Sequence, residues 1–194
     1  MSDKTDNPKR KSSLDLLRPA VRAMPGYTPG EQISDLVKLN TNEGAFGPSP
    51  QVMAALATID ADSLRLYPDP TSRGLRAAAA VRFGVAAEQV LAGNGSDDCL
   101  TILYRAFLDV GQRVACPWPT YGLYDTLASL QGAKLERLPF RQIGRRYELP
   151  PDLTKKRAKM IILANPNNPS STLVPVDELR KLCDQAARAI VVVD

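Results

Sequence analysis

The sequence predicts an α/β fold in which helices cover both faces of a mostly parallel sheet. From residue 49 onward, apolar segments of strand length alternate with segments of helix length. The segments 160–164 and 189–193 are apolar, as strands are when both faces of their sheet are covered. Polar groups follow three of the predicted strands, and sheets of this kind bind ligands where their strands end.

The first 48 residues predict little regular structure. Residues 1–13 are polar, and we expect them to be disordered. Residues 14–48 hold repeated Pro-Gly turn signals and one short candidate strand at 36–39. We therefore interpret this segment as an extended arm.

Caps and breakers delimit the elements that follow. Ser49-Pro50 opens a helix that we expect to reach Ile59. After a non-helical link at 64–70, Thr71 or Ser72 caps a second helix, 74–83, which Gly84 closes. The other predicted helices are 99–108, 120–130 (ended by Gly132) and one from 175 or 176 to about 188, and the predicted strands are 89–92, 113–116, 134–138, 160–164 and 189–193.

Composition excludes several classes of protein. The chain has 194 residues, enough to bury a large core, and it has no histidine, so it supplies neither a histidine base nor histidine-ligated zinc. We expect no metal site. The three cysteines lack C-x-x-C spacing, which is typical of a reduced, cytoplasmic protein. No apolar run approaches the roughly 18 residues of a membrane span, and no apolar segment follows the basic N-terminus as in a secretory signal.

The net charge of +4 is unevenly distributed, with a basic cluster in residues 134–159. A nucleic-acid surface would interleave its basic residues with aromatic ones. This segment has few aromatics and many prolines, so we interpret it as a solvated loop and expect neither a nucleic-acid nor a membrane partner.

The turn Gly93-Asn94-Gly95-Ser96-Asp97 leads from a predicted strand into a helix. Free N–H groups at a helix N-terminus bind phosphate, and the Ser96 hydroxyl adds a further donor. The alternative is an ordinary turn with Ser96 or Asp97 as the N-cap. The turn matches neither the Walker sequence nor G-x-G-x-x-G, so by itself it is a weak signal.

Three further groups follow strands. Tyr121 could stack on a planar ligand or serve as a buried anchor. The loop Asn165-Pro166-Asn167-Asn168-Pro169 could present an amide to a phenolate oxygen or form an Asx turn. Asp194 ends an apolar strand, where a carboxylate needs a partner such as a protonated ring nitrogen; it could instead cap a following helix.

A Gly-rich turn followed about 70 residues later by an Asn-Pro turn is also the layout of amino-group methyltransferases that use S-adenosylmethionine. The aromatic residue expected after the prolines is missing, however. The strand at 113–116 also lacks the acidic residue that would bind a ribose. We keep this as a remote alternative.

Taken in order, the motifs resemble those of the fold-type I aminotransferases that use pyridoxal 5′-phosphate (PLP), and most of all the histidinol-phosphate aminotransferase group. The likeness runs from about residue 30 to the end. The matching stretches are Lys38-Leu-Asn-Thr-Asn-Glu43, Gly47-Pro-Ser-Pro50, Leu66-Tyr-Pro-Asp69, Gly93-Asn-Gly-Ser-Asp97, Pro119-Thr-Tyr-Gly122, Asn165-Pro-Asn-Asn-Pro169 and the strand ending at Asp194.

The resemblance implies an aspartate-aminotransferase-like large domain, of which residues 49–194 are the first part, and a small domain that receives residues 1–48. It implies amino-group transfer from a small-molecule amino donor to 2-oxoglutarate through Schiff-base and quinonoid intermediates. Decarboxylation of threonine phosphate is a related alternative, and a non-catalytic remnant is another.

The resemblance also assigns roles to residues. Gly95, Ser96 and Asp97 would hold the cofactor phosphate, Tyr121 would stack on the ring, Asn168 would bind O3′, and Asp194 would pair with the ring nitrogen. Tyr67 would reach the phosphate bound by the other subunit of a homodimer. Asn42 and Phe46 would lie near the substrate.

Three departures from the family pattern stand out. The stretch Asn42-Glu-Gly-Ala-Phe-Gly47 differs from the usual Asn-Glu-Asn-Pro-Tyr-Gly, and Ser171 replaces a glycine. The family's catalytic lysine and carboxylate-binding arginine follow the position of Asp194. We therefore interpret the chain as an N-terminal portion that is inactive alone.

Overall fold

The computed structural model describes residues 12–25, 33–39, 42–155 and 157–194. They fall into two compact units, one formed by residues up to 24 together with 93–194 and the other by 25–92. Of residues 1–13, which we expected to be disordered, 1–11 lie outside the described residues, whereas Ser13 belongs to a 3-10 helix, Ser13–Leu16. The division at residue 48 into an arm and a large domain remains a prediction.

The first unit contains a four-stranded parallel sheet. Its strands are β1 (Arg113–Trp118), β2 (Lys134–Pro139), β5 (Met160–Leu163) and β6 (Ile190–Val193). Their order across the sheet is β2-β1-β5-β6, with Val114 opposite Met160 and Met160 opposite Ile190. All four carboxyl ends therefore lie at one edge.

Helices bury both faces of this sheet. On one face, Val114 and Met160 pack against α5 (Gly95–Phe107) and α6 (Leu123–Gln131). On the other, Ala115 and Ile161 pack in a core that includes Leu182 of α7 (Val176–Gln185). Because neighbouring residues along a strand face opposite sides, the apolar run of β5 supplies both cores. The α/β fold with a helix-covered parallel sheet is confirmed.

Several boundaries in this unit differ from the predictions. The helix expected at 99–108 begins earlier, at Gly95, and the helix expected at 120–130 begins later, at Leu123. A short helix, α1 (Pro19–Arg22), lies in the segment expected to be an extended arm. Helix α7 ends at Gln185 rather than near 188.

The basic segment contains a hairpin where a loop was expected. Strands β3 (Arg141–Ile143) and β4 (Arg146–Glu148) pair antiparallel. Gly144 has a φ of 60°, which suits the two-residue turn between them. Arg141 and Glu148 form a salt bridge of 3.3 Å across the pair.

The second unit contains α2 (Pro50–Leu56), α3 (Ala61–Leu64) and α4 (Arg73–Phe83). The Ser49 hydroxyl caps α2 as predicted, but the helix stops before Ile59. Helix α4 ends at Gly84 (φ 67°), also as predicted. Ser72 is its N-cap residue, as predicted, but the Ser72 side chain makes no capping hydrogen bond. Asp69 Oδ2 instead accepts from the N–H of Arg73 at 3.1 Å.

Two expected strands do not form in the second unit. Residues 36–39 are not paired with a strand, and Val37 and Leu39 stay exposed. The segment expected as a strand at 89–92 overlaps a 3-10 helix, Ala87–Gln89. There the Arg76 guanidinium binds the carbonyls of Ala87 and Val90, so those acceptors need no neighbouring strand.

Within the part of the chain that the structure describes, no helix has the length and apolarity that a membrane crossing requires.

Candidate cofactor site

The turn before α5 is shaped by two glycines for different reasons. Gly95 has a φ of 81°, a conformation that side-chain-bearing residues rarely adopt. Gly93 is instead limited by space, because a Cβ there would lie 2.8 Å from Cys99 Sγ. The N–H of Asn94 donates to Asp98 Oδ2 at 3.0 Å and closes the turn.

The start of α5 offers free donors to an anion. Asn94 is the N-cap residue, and its side chain accepts none of the helix's N–H groups. The expected alternative, with Ser96 or Asp97 as N-cap, is therefore wrong. Gly95, Ser96 and Asp97 form the exposed first turn, where N–H groups have no partner inside the helix and attract negative charge.

Tyr121 and Tyr124 follow β1. Their rings meet edge to face, with centroids 5.8 Å apart and an interplanar angle of 85°. The Tyr121 hydroxyl lies 3.4 Å from both carboxylate oxygens of Asp97. Tyr121 is half-buried, so its ring is fixed at the edge of the sheet beside the first turn of α5.

Two of the three amides after β5 hold the loops in place. The Asn167 amide nitrogen donates to the Pro119 carbonyl at 3.0 Å, and its oxygen accepts from the Thr120 hydroxyl at 3.0 Å. Asn165 exchanges two hydrogen bonds with the backbone of Val174. Asn167 thereby ties the loop after β5 to the loop after β1.

Asn168 differs from its neighbours. Its side chain is exposed and makes no hydrogen bond to any described residue, so its amide is available to a ligand. Ser171, which stands where the family has glycine, has a φ of 53°. The backbone at this position therefore adopts the left-handed conformation that favours glycine, although the residue here is a serine.

Asp194 lies at the end of β6, beside the end of β5. Its N–H donates to the Leu163 carbonyl at 2.9 Å, and its carbonyl accepts from the Asn165 N–H at 2.8 Å. The hydroxyl of Tyr124 donates to Asp194 Oδ2 at 2.7 Å. Burial, together with the Asp194 carboxylate, raises the pKa of Tyr124 well above its ordinary value, so the hydroxyl stays protonated as a donor.

Sequence reasoning missed Tyr124. It stands three residues after Tyr121, and this spacing places two side chains on one side of a helical turn. The sequence contains that signal, but Asp194, the hydrogen-bond partner of Tyr124, is 70 residues away. Only the strand order brings the two together.

The remaining predicted site residues, Asn42, Phe46 and Tyr67, belong to the second unit. Phe46 and Tyr67 are almost fully exposed, and Asn42 has a φ of 54°. Their roles remain predictions.

The described lysines of the first unit do not face this edge from a strand end. Lys134 begins β2 and Lys159 immediately precedes β5, both at the opposite edge. Lys155 pairs with Asp152 at 2.7 Å, and Lys181 lies within α7. Among these residues, none follows the end of a parallel strand.

Comparison with known proteins agrees with the fold. The histidinol-phosphate aminotransferase of Synechocystis sp. is 45% identical over 178 residues, which are 91% of this chain and 50% of that protein. The crystal structure of histidinol-phosphate aminotransferase from Sinorhizobium meliloti in complex with pyridoxal-5′-phosphate matches with a TM-score of 0.79 at 23% identity, over 92% of this chain and 50% of that one.

N-Succinyldiaminopimelate aminotransferase from Mycobacterium tuberculosis matches with a TM-score of 0.67 at 27% identity, over 76% of this chain and 42% of that one. The chain thus spans about half the length of the curated relatives it matches. The family model for aminotransferase class I and II matches residues 34–194. The chain belongs to this aminotransferase family.

Proposed function

We propose that this protein is the N-terminal half of a PLP-dependent aminotransferase that acts on histidinol phosphate and passes the amino group to 2-oxoglutarate. The observation that carries this proposal is the arrangement at one sheet edge of free helix N–H groups, an amide and a carboxylate. The similarity to named histidinol-phosphate aminotransferases supports the choice of substrate. Family membership replaces the methyltransferase alternative.

The residues present fit the chemistry of the cofactor. A phosphate needs N–H donors, which the first turn of α5 offers. A protonated pyridine nitrogen needs a carboxylate, and Asp194 has one oxygen engaged by Tyr124 and a second available. A phenolate oxygen needs a donor, and the amide of Asn168 is exposed at the same edge. When bound, the cofactor supplies the sink for the electron pair left when a substrate C–H bond breaks.

Each residue then has one task. The N–H groups of Gly95, Ser96 and Asp97, with the Ser96 hydroxyl, bind the phosphate. Asp194 keeps a proton on the ring nitrogen through a charge-assisted hydrogen bond. Asn168 donates to the ring oxygen. Tyr121 packs against the ring and limits its tilt.

We further propose a homodimer in which Tyr67 reaches the phosphate bound by the other subunit, with Asn42 and Phe46 near the substrate. The nearly complete exposure of Tyr67 leaves it available for such a contact. The sparse cysteines, all free as thiols, favour a cytoplasmic location.

The test uses the complete gene product, loaded with PLP and supplied with histidinol phosphate and 2-oxoglutarate. We expect glutamate to form as the donor is consumed. Asp194→Asn should retain PLP but lower the rate by about 100-fold or more, because a neutral amide does not hold the ring protonated. Asp184→Asn, on the exposed side of α7, is the control and should leave the rate unchanged. A rate in Asp194→Asn close to that of the wild type would refute the role of Asp194.

A further inference from the structure

Tyr124 is a fully buried side chain whose hydroxyl donates to Asp194, the proposed partner of the cofactor nitrogen. Its oxygen lies 2.7 Å from Asp194 Oδ2. The tasks assigned above to the cofactor-binding residues make no use of this hydroxyl. A buried tyrosine needs a hydrogen-bond partner for its hydroxyl. Here the partner is the same carboxylate that the proposed function assigns to the cofactor nitrogen.

The ring of Tyr124 is held from several sides. It packs in the core with Cys116 and Met160. The ring of Tyr121 meets it edge to face. Because this ring has a fixed place, its hydroxyl fixes the position of one oxygen of Asp194.

Asp194 itself lacks other constraints on its side chain. It is half-buried, and within the described residues Tyr124 is the hydrogen-bond partner of its carboxylate. Its backbone is held by β5, but the backbone alone leaves the carboxylate free to rotate. The orientation of the carboxylate is therefore set by Tyr124.

We propose that Tyr124 is a positioning residue that holds Asp194 through Oδ2 and so presents Oδ1 to the pyridine nitrogen of PLP. This inference rests on the proposed function. Tyr124 does not touch the reacting atoms. It acts through Asp194, and its ring also contacts the Tyr121 ring edge to face.

The test is a double-mutant cycle on PLP affinity, measured by titrating PLP into the complete apoprotein. We expect Tyr124→Phe to weaken PLP binding about tenfold, a loss consistent with a hydrogen bond to a charged group. In an Asp194→Ala background the same substitution should change the affinity by less than about twofold, because the group through which it acts is gone.

Tyr104→Phe is the matched control. It also removes a buried hydroxyl from the same core, but that hydroxyl bonds the Tyr124 carbonyl and not Asp194. We expect it to lower stability and to leave PLP affinity within about twofold. The proposal is overturned if Tyr124→Phe behaves like Tyr104→Phe, or if it weakens binding equally with and without Asp194.

A second arm needs no variant and holds even if Tyr124→Phe does not fold. In a crystal structure of the wild-type complete protein with PLP, we expect Tyr124 to remain bonded to Oδ2 while the ring nitrogen meets Oδ1. A ring nitrogen on Oδ2, with the hydroxyl turned to another acceptor, overturns the inference alone. A wild-type protein that binds no PLP would overturn the proposed function, and this inference with it.

Discussion

Gly93→Ala should destabilise the turn that leads into α5, for steric and not conformational reasons. Gly93 is absent from the residues with positive φ, so its backbone tolerates a side chain. A Cβ at this position would, however, lie 2.8 Å from Cys99 Sγ and 3.1 Å from Asp98 Oδ2. The first distance is too short for any real contact, so Cys99 or the turn must shift.

The magnitude follows from what has to move. Displacing Asp98 weakens its hydrogen bond from the Asn94 N–H, at a cost of about 1 to 2 kcal/mol for an exposed carboxylate. Forcing a methyl group into a filled space costs about 1 to 3 kcal/mol. We therefore expect the free energy of unfolding to fall by about 2 to 5 kcal/mol, and PLP affinity to fall with it because the turn carries the phosphate donors.

Urea denaturation of the complete gene product measures the change. Gly74→Ala is the control, since a Cβ at that position in α4 meets nothing within 4 Å; it should be neutral or stabilising by up to about 1 kcal/mol. In a Cys99→Ala background, Gly93→Ala should cost less than it does in the wild type. Full stability of Gly93→Ala, or an equal cost in both backgrounds, would refute the steric reasoning.

Three further outcomes are expected. Asn167→Ala should lower the free energy of unfolding by about 2 to 4 kcal/mol, because it leaves the Pro119 carbonyl and the Thr120 hydroxyl without their partner. Asn168→Ala should instead keep the stability and weaken PLP binding; the reverse pattern in urea and PLP titrations would contradict the assignment. A thiol reagent should modify exposed Cys183 rapidly but not native Cys116, whose burial raises its pKa to about 12; equal rates would count against this core. The Arg73 side chain and the Thr71 backbone lower the pKa of Asp69 from 3.8 to about 2, so the stability that Asp69 contributes is complete above about pH 4 and is lost as the pH falls through 2. Thermal melts of Asp69→Asn between about pH 2 and 5 should lack this loss, and parallel profiles of the variant and the wild type would refute the reasoning.

The elements with strong local signals could be predicted from the sequence. The structure contains the apolar strand β5, the Ser49 cap of α2 and the glycines that end α4 and α6. Each of these features depends only on residues that are close together in the sequence. Predictions failed where the cause was not local. In the segment 89–92, which does not form the expected strand, the Val90 carbonyl accepts from the guanidinium of Arg76, more than ten residues away.

The candidate site shows the same limit. The sequence places Asn165, Asn167 and Asn168 in one loop but does not show which two side chains form hydrogen bonds within the fold. It likewise contains Tyr124 and Asp194 without indicating that they meet, because their contact depends on β6 lying next to β5. Strand order is a property of the assembled sheet, so contacts that depend on it are found only in the structure.

A crystal structure of the complete protein with PLP tests most directly whether this sheet edge is the cofactor site. We expect the phosphate to accept hydrogen bonds from the N–H groups of Gly95, Ser96 and Asp97, and the ring nitrogen to lie within hydrogen-bond distance of Asp194. A cofactor bound elsewhere, or a phosphate held away from the first turn of α5, would contradict the site described.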